Sequence, residues 1–341
     1  MSKVGVIGTG NFGLALANLL ALNKKEVFIY ARRKEIAEKI NSTRNHKGQA
    51  VRENVVATND IEFIAKECKL IFPIVPSNNF EGLLNQLSPF LTPEHILIHG
   101  TKGLHITVDI NEVESLDKSQ VLTMSELILK NTCVERVGCI AGPNLAKELA
   151  AGEIAGTVIA SRYNEVIKEG KKALNSPVFN VYGSNEIKGV EIASILKNYI
   201  AIASGMLEGL GYGDNSKALL ITRGMAEMVF FGKAFGANEK AFMGLAGIGD
   251  LMATCNSKLS RNFQVGYNLA KGKKVADTLN ELNEVAEGIK TIKVVKLLKS
   301  YGFNSPLADA LYKIVYEDWD IAQGLQFLMS LPVSDDIDFI K

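Results

Sequence analysis

The sequence predicts an α/β protein in which a doubly wound, largely parallel sheet is followed by an all-helical C-terminal domain. Three observations predict it. Short β-rich apolar runs alternate with helical periodicity through the first half, as strands and their covering helices do. A glycine fingerprint stands between the first such run and the first helical pattern. After about Gly183 strand signals nearly vanish and long helical patterns take over, which divides the chain into domains 1–184 and 185–341.

In chain order, residues 3–7 read as a strand. Residues 11–22 read as a helix, with Phe12, Ala15, Leu16, Leu19 and Leu20 at helical spacing. Further strands are expected at 27–30, 55–57, 70–74, 96–99, 137–140, 157–160 and 178–181, with helices such as 34–40, 80–87 and 165–174 between them. The second half reads as helices at 186–210, 215–235, 240–244, 261–271, 289–300, 306–315 and 321–328. The stretch 244–262, GLAGIGDLMATCNSKLSRN, reads as a glycine-rich polar segment between two of them.

Composition excludes several classes. A chain of 341 residues with 47% hydrophobic and 22% charged residues is an ordinary globular sequence. Its net charge of +1 gives no basic field for nucleic acid. The opening MSKVGVIG runs straight into a strand, so no secretory signal is expected. No integral membrane segment is expected either, because Lys197, Glu208 and Arg223 interrupt the longest apolar stretches. Cys68, Cys133, Cys139 and Cys255 show no CxxC spacing, which argues against a metal site and for reduced thiols in the cytoplasm.

The segment VGVIGTGNFGLALANLL carries G-x-G-x-x-G at Gly8, Gly10 and Gly13. It follows a strand and opens a helix, which gives the spacing a Rossmann-like meaning. Gly8 makes the turn, Gly10 lets backbone approach a pyrophosphate, and Gly13 lets helix and strand pack. The helix N-terminus offers N–H groups and partial positive charge to the phosphates. At the end of the second strand, where NAD-specific chains carry an acid, the sequence reads FIYARRKE. Arg32 and Arg33 suit a 2′-phosphate, so NADP(H) is favoured over NAD(H); the plainer alternative is a pair of solvated helix-start arginines.

A second constellation lies downstream. Lys197 falls in the middle of EIASILKNYIAIASGMLEGLG, a helix otherwise apolar or small. Lysine is rarely fully buried unless paired, and Asp250, after three glycines, is the expected partner. Burial favours neutral lysine, and a nearby carboxylate favours the charged form. Ala201, Ser204 and Gly205 are expected to leave room on the lysine's face. Ser260, Arg261 and Asn262 stand at a helix start, where serine can cap and the other two can donate to an anion. Lys102 in IHGTKGL, and Gly142, Asn144 and Ala146 in IAGPNLAKEL, follow strands on the expected carboxyl edge of the sheet.

Together GTGNFGLALA, TKG, GPNLAKE, LKN, GLAGIGDLMATC, SRN and VAEGIKT, in that order from the fingerprint to about Thr291, closely resemble the bacterial-type, cytosolic NAD(P)-dependent glycerol-3-phosphate dehydrogenases. The resemblance implies reversible reduction of dihydroxyacetone phosphate to sn-glycerol 3-phosphate, supplying glycerophospholipid synthesis. It implies that Lys197 is proton donor and acceptor, assisted by Asp250. Lys102, Gly142, Asn144, Asp250, Thr254, Ser260, Arg261 and Asn262 would line the substrate. Asn11, Phe12, Arg32, Arg33, Lys102, Ala146, Arg261, Val285 and Glu287, with the fingerprint glycines, would contact NAD or NADP. No metal is implied, and a homodimer stays open. One departure is Asn144, which stands where the bacterial pattern usually has serine and the eukaryotic branch asparagine; the tail beyond Tyr301 matches no motif. Two rival readings remain: another two-domain dehydrogenase of the hydroxy-acid or 6-phosphogluconate type, and a non-catalytic dinucleotide sensor.

Overall fold

The computed structural model describes residues 2–282, 286–298 and 305–331. One compact unit contains the residues up to His105 together with Thr123–Ile187; the other contains Ile106–Leu122 and the described residues from Lys188 onward.

The first unit is built on an eight-stranded sheet. Its strands are β1 Lys3–Ile7, β2 Glu26–Tyr30, β3 Val55–Thr58, β4 Leu70–Pro73, β5 Ile96–His99, β6 Arg136–Ala141, β7 Ala155–Ser161 and β8 Phe179–Ser184. They lie in the order β8-β7-β6-β5-β4-β1-β2-β3. Every neighbouring pair is parallel except β6 with β7. The run 3-2-1-4-5-6 is the order of paired mononucleotide-binding halves, and it reverses between β1 and β4. Seven helices connect the strands: α1 Asn11–Leu22, α2 Lys34–Thr43, α3 Ile61–Glu67, α4 Phe80–Leu87, α5 Met124–Asn131, α6 Ala146–Ala151 and α7 Asn164–Leu174.

The strands' period of two divides their side chains between the faces. Val4 and Val6 enter one core with Leu16 and Leu20 of α1 and Leu174 of α7. Gly5, between them, turns to the other face, where a Cβ would lie 2.9 Å from Ile64 of α3. The doubly wound expectation therefore holds, with strand and helix ends either as expected or moved by at most three residues. A hairpin pairing Asn45–His46 with Gln49–Ala50 was not anticipated; two residues per strand carry no readable period.

The second unit holds α8 Ile187–Gly209, α9 Asp214–Ala234, α10 Asp250–Asn256, α11 Arg261–Ala270, α12 Val275–Leu282, α13 Glu287–Leu297, α14 Pro306–Tyr316 and α15 Ile321–Met329. Long-range bonds join Ile106–Leu122 to it. The Leu116 N–H donates to Leu297 O at 3.0 Å, Lys118 Nζ to Ala234 O at 2.7 Å, and Lys293 Nζ to Asn111 Oδ1 at 2.7 Å. No change of local texture marks that excursion in the sequence.

Helix α8 is the centre of this unit. Among the described residues it is the one helix long and apolar enough to cross a membrane, and that stretch is 100% buried within the protein. A helix apolar on all sides belongs in a core. It crosses α11 with unusual closeness, because a Cβ on Gly266 would strike the Ile202 carbonyl and one on Gly205 the Phe263 carbonyl. Gly205 therefore makes room for a helix, not for the lysine. The helix expected at 240–244 is instead a 3₁₀ turn, Glu239–Ala241, followed by a π-type turn, Leu245–Gly249. The expected loop after it is partly helical, since α10 starts at Asp250. Val285 and residues 299–300 lie outside the described residues.

Candidate active site

Lys197 sits mid-helix on α8 and is 4% exposed, so its head does not reach solvent. Its Nζ donates to Asp250 Oδ1 at 2.6 Å and to Thr254 Oγ1 at 2.5 Å. Asp250 and Thr254 are both buried. They are four residues apart on α10 and share a face. The Thr254 hydroxyl also donates to the Asp250 backbone carbonyl at 2.6 Å, so its lone pairs remain to accept from the lysine. The π-type turn leads directly into α10 and sets where Asp250 begins; such turns recur at functional sites. Burial pushes the adjacent Cys255 thiol up to about 12, which keeps it protonated beside the pair.

Ser260 caps α11, its Oγ accepting from the Phe263 N–H at 3.3 Å. Asn262 is buried. Its Nδ2 donates to Asn198 Oδ1 at 3.0 Å and its Oδ1 accepts from the Gly288 N–H at 3.1 Å. The amide thus joins α8, α11 and α13. Any anion held there meets Arg261 and the first-turn N–H groups of α11 more readily than the Asn262 amide. Asn198 was missed in the sequence reading. Its signal was available: an asparagine beside Lys197 on a wholly buried helix must have a hydrogen-bond partner. Glu287 opens α13, and its carbonyl accepts from Thr291 Oγ1 at 2.9 Å.

In the sheet unit, the remaining candidates gather at the carboxyl ends of the parallel strands. Gly8 follows β1 with φ of 122°, where a Cβ would collide with the Ile74 carbonyl; a Cβ on Gly13 would collide with the Gly8 carbonyl. Gly10 faces open space. It caps α1 by backbone alone, having no side chain of its own to cap with, and Asn11 and Phe12 begin that helix. A helix N-terminus headed by a bare glycine fits a pyrophosphate. Arg32 and Arg33 follow β2 and are exposed. Arg33 Nε lies 3.7 Å from Glu35 Oε1 with both side chains mostly in solvent, a weak pair. After β5, Lys102 Nζ lies 3.4 Å from the Gly142 carbonyl beyond β6. Asn144 follows, its Nδ2 donating to Thr157 Oγ1 at 2.8 Å, and Ala146 opens α6.

A sheet that reverses order beside a glycine turn, in a chain that also buries a lysine–aspartate pair, defines a dinucleotide-dependent oxidoreductase. Comparison with known proteins identifies the family. The model described as the NAD-dependent glycerol-3-phosphate dehydrogenase N-terminus matches residues 3–167, and the one described as its C-terminus matches residues 186–326. A relative from Alcanivorax borkumensis, named NAD(P)+ glycerol-3-phosphate dehydrogenase, is 39% identical over 99% of this chain and 96% of its own. One of the same name from Teredinibacter turnerae is 35% identical over 98% and 97%. The crystal structure of glycerol-3-phosphate dehydrogenase from Coxiella burnetii superposes with a TM-score of 0.86 at 27% identity, covering 97% of this chain and 99% of that one. The chain belongs to the NAD-dependent glycerol-3-phosphate dehydrogenase family.

Proposed function

We propose that the protein reversibly reduces dihydroxyacetone phosphate to sn-glycerol 3-phosphate with NAD(P)H, and that Lys197 is the proton donor. The carrying observation is the buried contact of Lys197 with Asp250 and Thr254 in a member of this family. When bound, the nicotinamide supplies the hydride. Lys197 gives a proton to the ketone oxygen as charge develops there, and in the reverse direction its neutral amine takes the proton from the alcohol. Asp250 keeps the resting ammonium charged, and Thr254 fixes the direction of Nζ.

Arg261 and the start of α11, with Ser260 and the backbone of Asn262, grip the phosphate, which fixes the ketone at a set distance from Lys197. Lys102, Gly142 and Asn144 complete the substrate set. Gly8, Gly10, Asn11, Phe12 and Gly13 hold the pyrophosphate, and Ala146, Val285 and Glu287 contact the cofactor. In functional terms residues 1–184 are the dinucleotide-binding domain, which also lends Lys102, Gly142 and Asn144 to the substrate, and 185–341 are the substrate and catalytic domain. The exposed Arg32 and Arg33 beyond β2 support a preference for NADP(H). Membership of the family supports cytoplasmic supply of glycerol 3-phosphate for glycerophospholipids and is compatible with a homodimer.

A steady-state assay with dihydroxyacetone phosphate beside a panel of 2-oxo acids tests the substrate. Turnover of the phosphate ester alone is expected; preference for a 2-oxo acid would favour the hydroxy-acid reading. In the same assay, replacing Arg32 and Arg33 with Ala is expected to raise KM for NADPH by about tenfold or more, with little change for NADH. Equal shifts for both cofactors would remove the 2′-phosphate role.

A further inference from the structure

The loop after β6 contains a hydrogen-bond chain that the proposed reaction does not yet use. Asn144 Nδ2 donates to Thr157 Oγ1 at 2.8 Å. Thr157, on β7, is 0% exposed, and its hydroxyl donates to the Ala141 carbonyl at 3.0 Å. A hydroxyl has one hydrogen and two lone pairs. With its hydrogen committed to Ala141, Thr157 can only accept from Asn144. Turning the amide over would set its oxygen against the hydroxyl oxygen. The orientation of the carboxamide is therefore fixed by bonding: Nδ2 faces Thr157, and Oδ1 points away. Gly142 holds the loop against this residue, since a Cβ there would lie 3.0 Å from Thr157 Cα.

The consequence is an unfilled acceptor. Asn144 Oδ1 is buried and has no hydrogen-bond partner among the described residues. Such an atom carries an uncompensated desolvation cost unless a donor reaches it. Asparagine is an asymmetric group at this point in the site, so something must choose which end is offered, and Thr157 makes that choice.

We propose that Thr157 is a positioning residue, locking the Asn144 amide so that its carbonyl oxygen receives a hydroxyl hydrogen from the substrate. This rests on the reading of Asn144 as a substrate group. Dihydroxyacetone phosphate has one free hydroxyl, on the carbon beside the ketone, and that hydroxyl is a donor of the required kind. The lock acts on ground-state placement, so it belongs in KM more than in kcat.

The test compares Thr157→Val, Thr157→Ser, Asn144→Ala and the Thr157→Val/Asn144→Ala double variant, with Thr157→Ala in reserve should the valine variant fail to fold. Each is assayed with dihydroxyacetone phosphate and with acetol phosphate, which lacks the hydroxyl. Thr157→Val is expected to raise KM for dihydroxyacetone phosphate about fivefold while kcat stays within about twofold. Thr157→Ser, which keeps the hydroxyl, restores KM. The Thr157→Val effect disappears with acetol phosphate and in the Asn144→Ala background. Equal losses on both substrates, an additive loss in the double variant, or an unchanged KM in Thr157→Val would overturn the proposal. If Asn144→Ala itself leaves KM unchanged, the substrate role of Asn144 falls, and the positioning role with it.

Discussion

Lys197 shows what burial does to a single charge. A half-exposed lysine could keep its head in water, but at 4% exposure this one depends on Asp250 and Thr254 for its hydrogen bonds. Removing one member of a buried pair leaves the other uncompensated. Lys197→Ala is expected to lower the free energy of unfolding by about 3–5 kcal/mol, and Lys197→Met combined with Asp250→Leu to recover most of that without restoring activity. Chemical denaturation of the three proteins measures both effects; an undiminished stability in Lys197→Ala would mean that the pair is solvated in solution. The pair was legible in sequence because an ammonium in an apolar helix demands a partner. The orientation of the Asn144 amide was not, since it depends on Thr157 thirteen residues away on a neighbouring strand.

At the level of elements, the fingerprint turn and α1 were readable to the residue because glycine spacing and helical period agree there. The glycine run before Asp250 misled for a physical reason. Glycines that look like a flexible loop are wound here into a π-type turn that feeds α10. The contact of α8 with α11 is equally silent in either helix alone, for Gly205 and Gly266 have meaning only against each other's backbone. Gly266→Ala is expected to destabilise the protein by about 2 kcal/mol or more, because the Ile202 carbonyl has nowhere to go; a change in Tm of less than a degree would refute that crossing.

The buried Glu227 on α9 ties elements together in another way. It accepts from the Leu307 N–H at the start of α14, at 2.6 Å, and from Tyr199 Oη on α8 at 3.2 Å. Burial lifts its carboxyl to about 8, against the lowering effect of those bonds and with a further rise from Asp309. A carboxyl harder to ionise in the native than in the unfolded chain takes up a proton on folding. Its contribution is therefore complete below the ordinary carboxylate range and is lost as pH rises to about 8. Glu227→Gln should flatten the decline in Tm between about pH 5 and pH 8, a window in which one such group changes stability by about 1 kcal/mol per pH unit. An identical pH profile for the two proteins would show that the carboxyl is ionised throughout.

For the whole molecule, two kinds of information were needed. Strand alternation and the glycine turn specify a nucleotide-binding sheet, which many chemistries share. The helical unit narrows the chemistry, because Lys197, Asp250 and Thr254 converge there from helices more than fifty residues apart in sequence. Local texture also left the Ile106–Leu122 excursion unmarked, since only its bonds to Leu297, Ala234 and Lys293 reveal which unit it joins. The proton role of Lys197 is tested most directly by steady-state reduction of dihydroxyacetone phosphate with NADPH, comparing the wild-type protein with Lys197→Ala at a temperature where circular dichroism shows both folded. A fall in kcat of about a thousandfold, with NADPH still bound, is expected when a general acid is lost. Turnover by Lys197→Ala near the wild-type rate would contradict it.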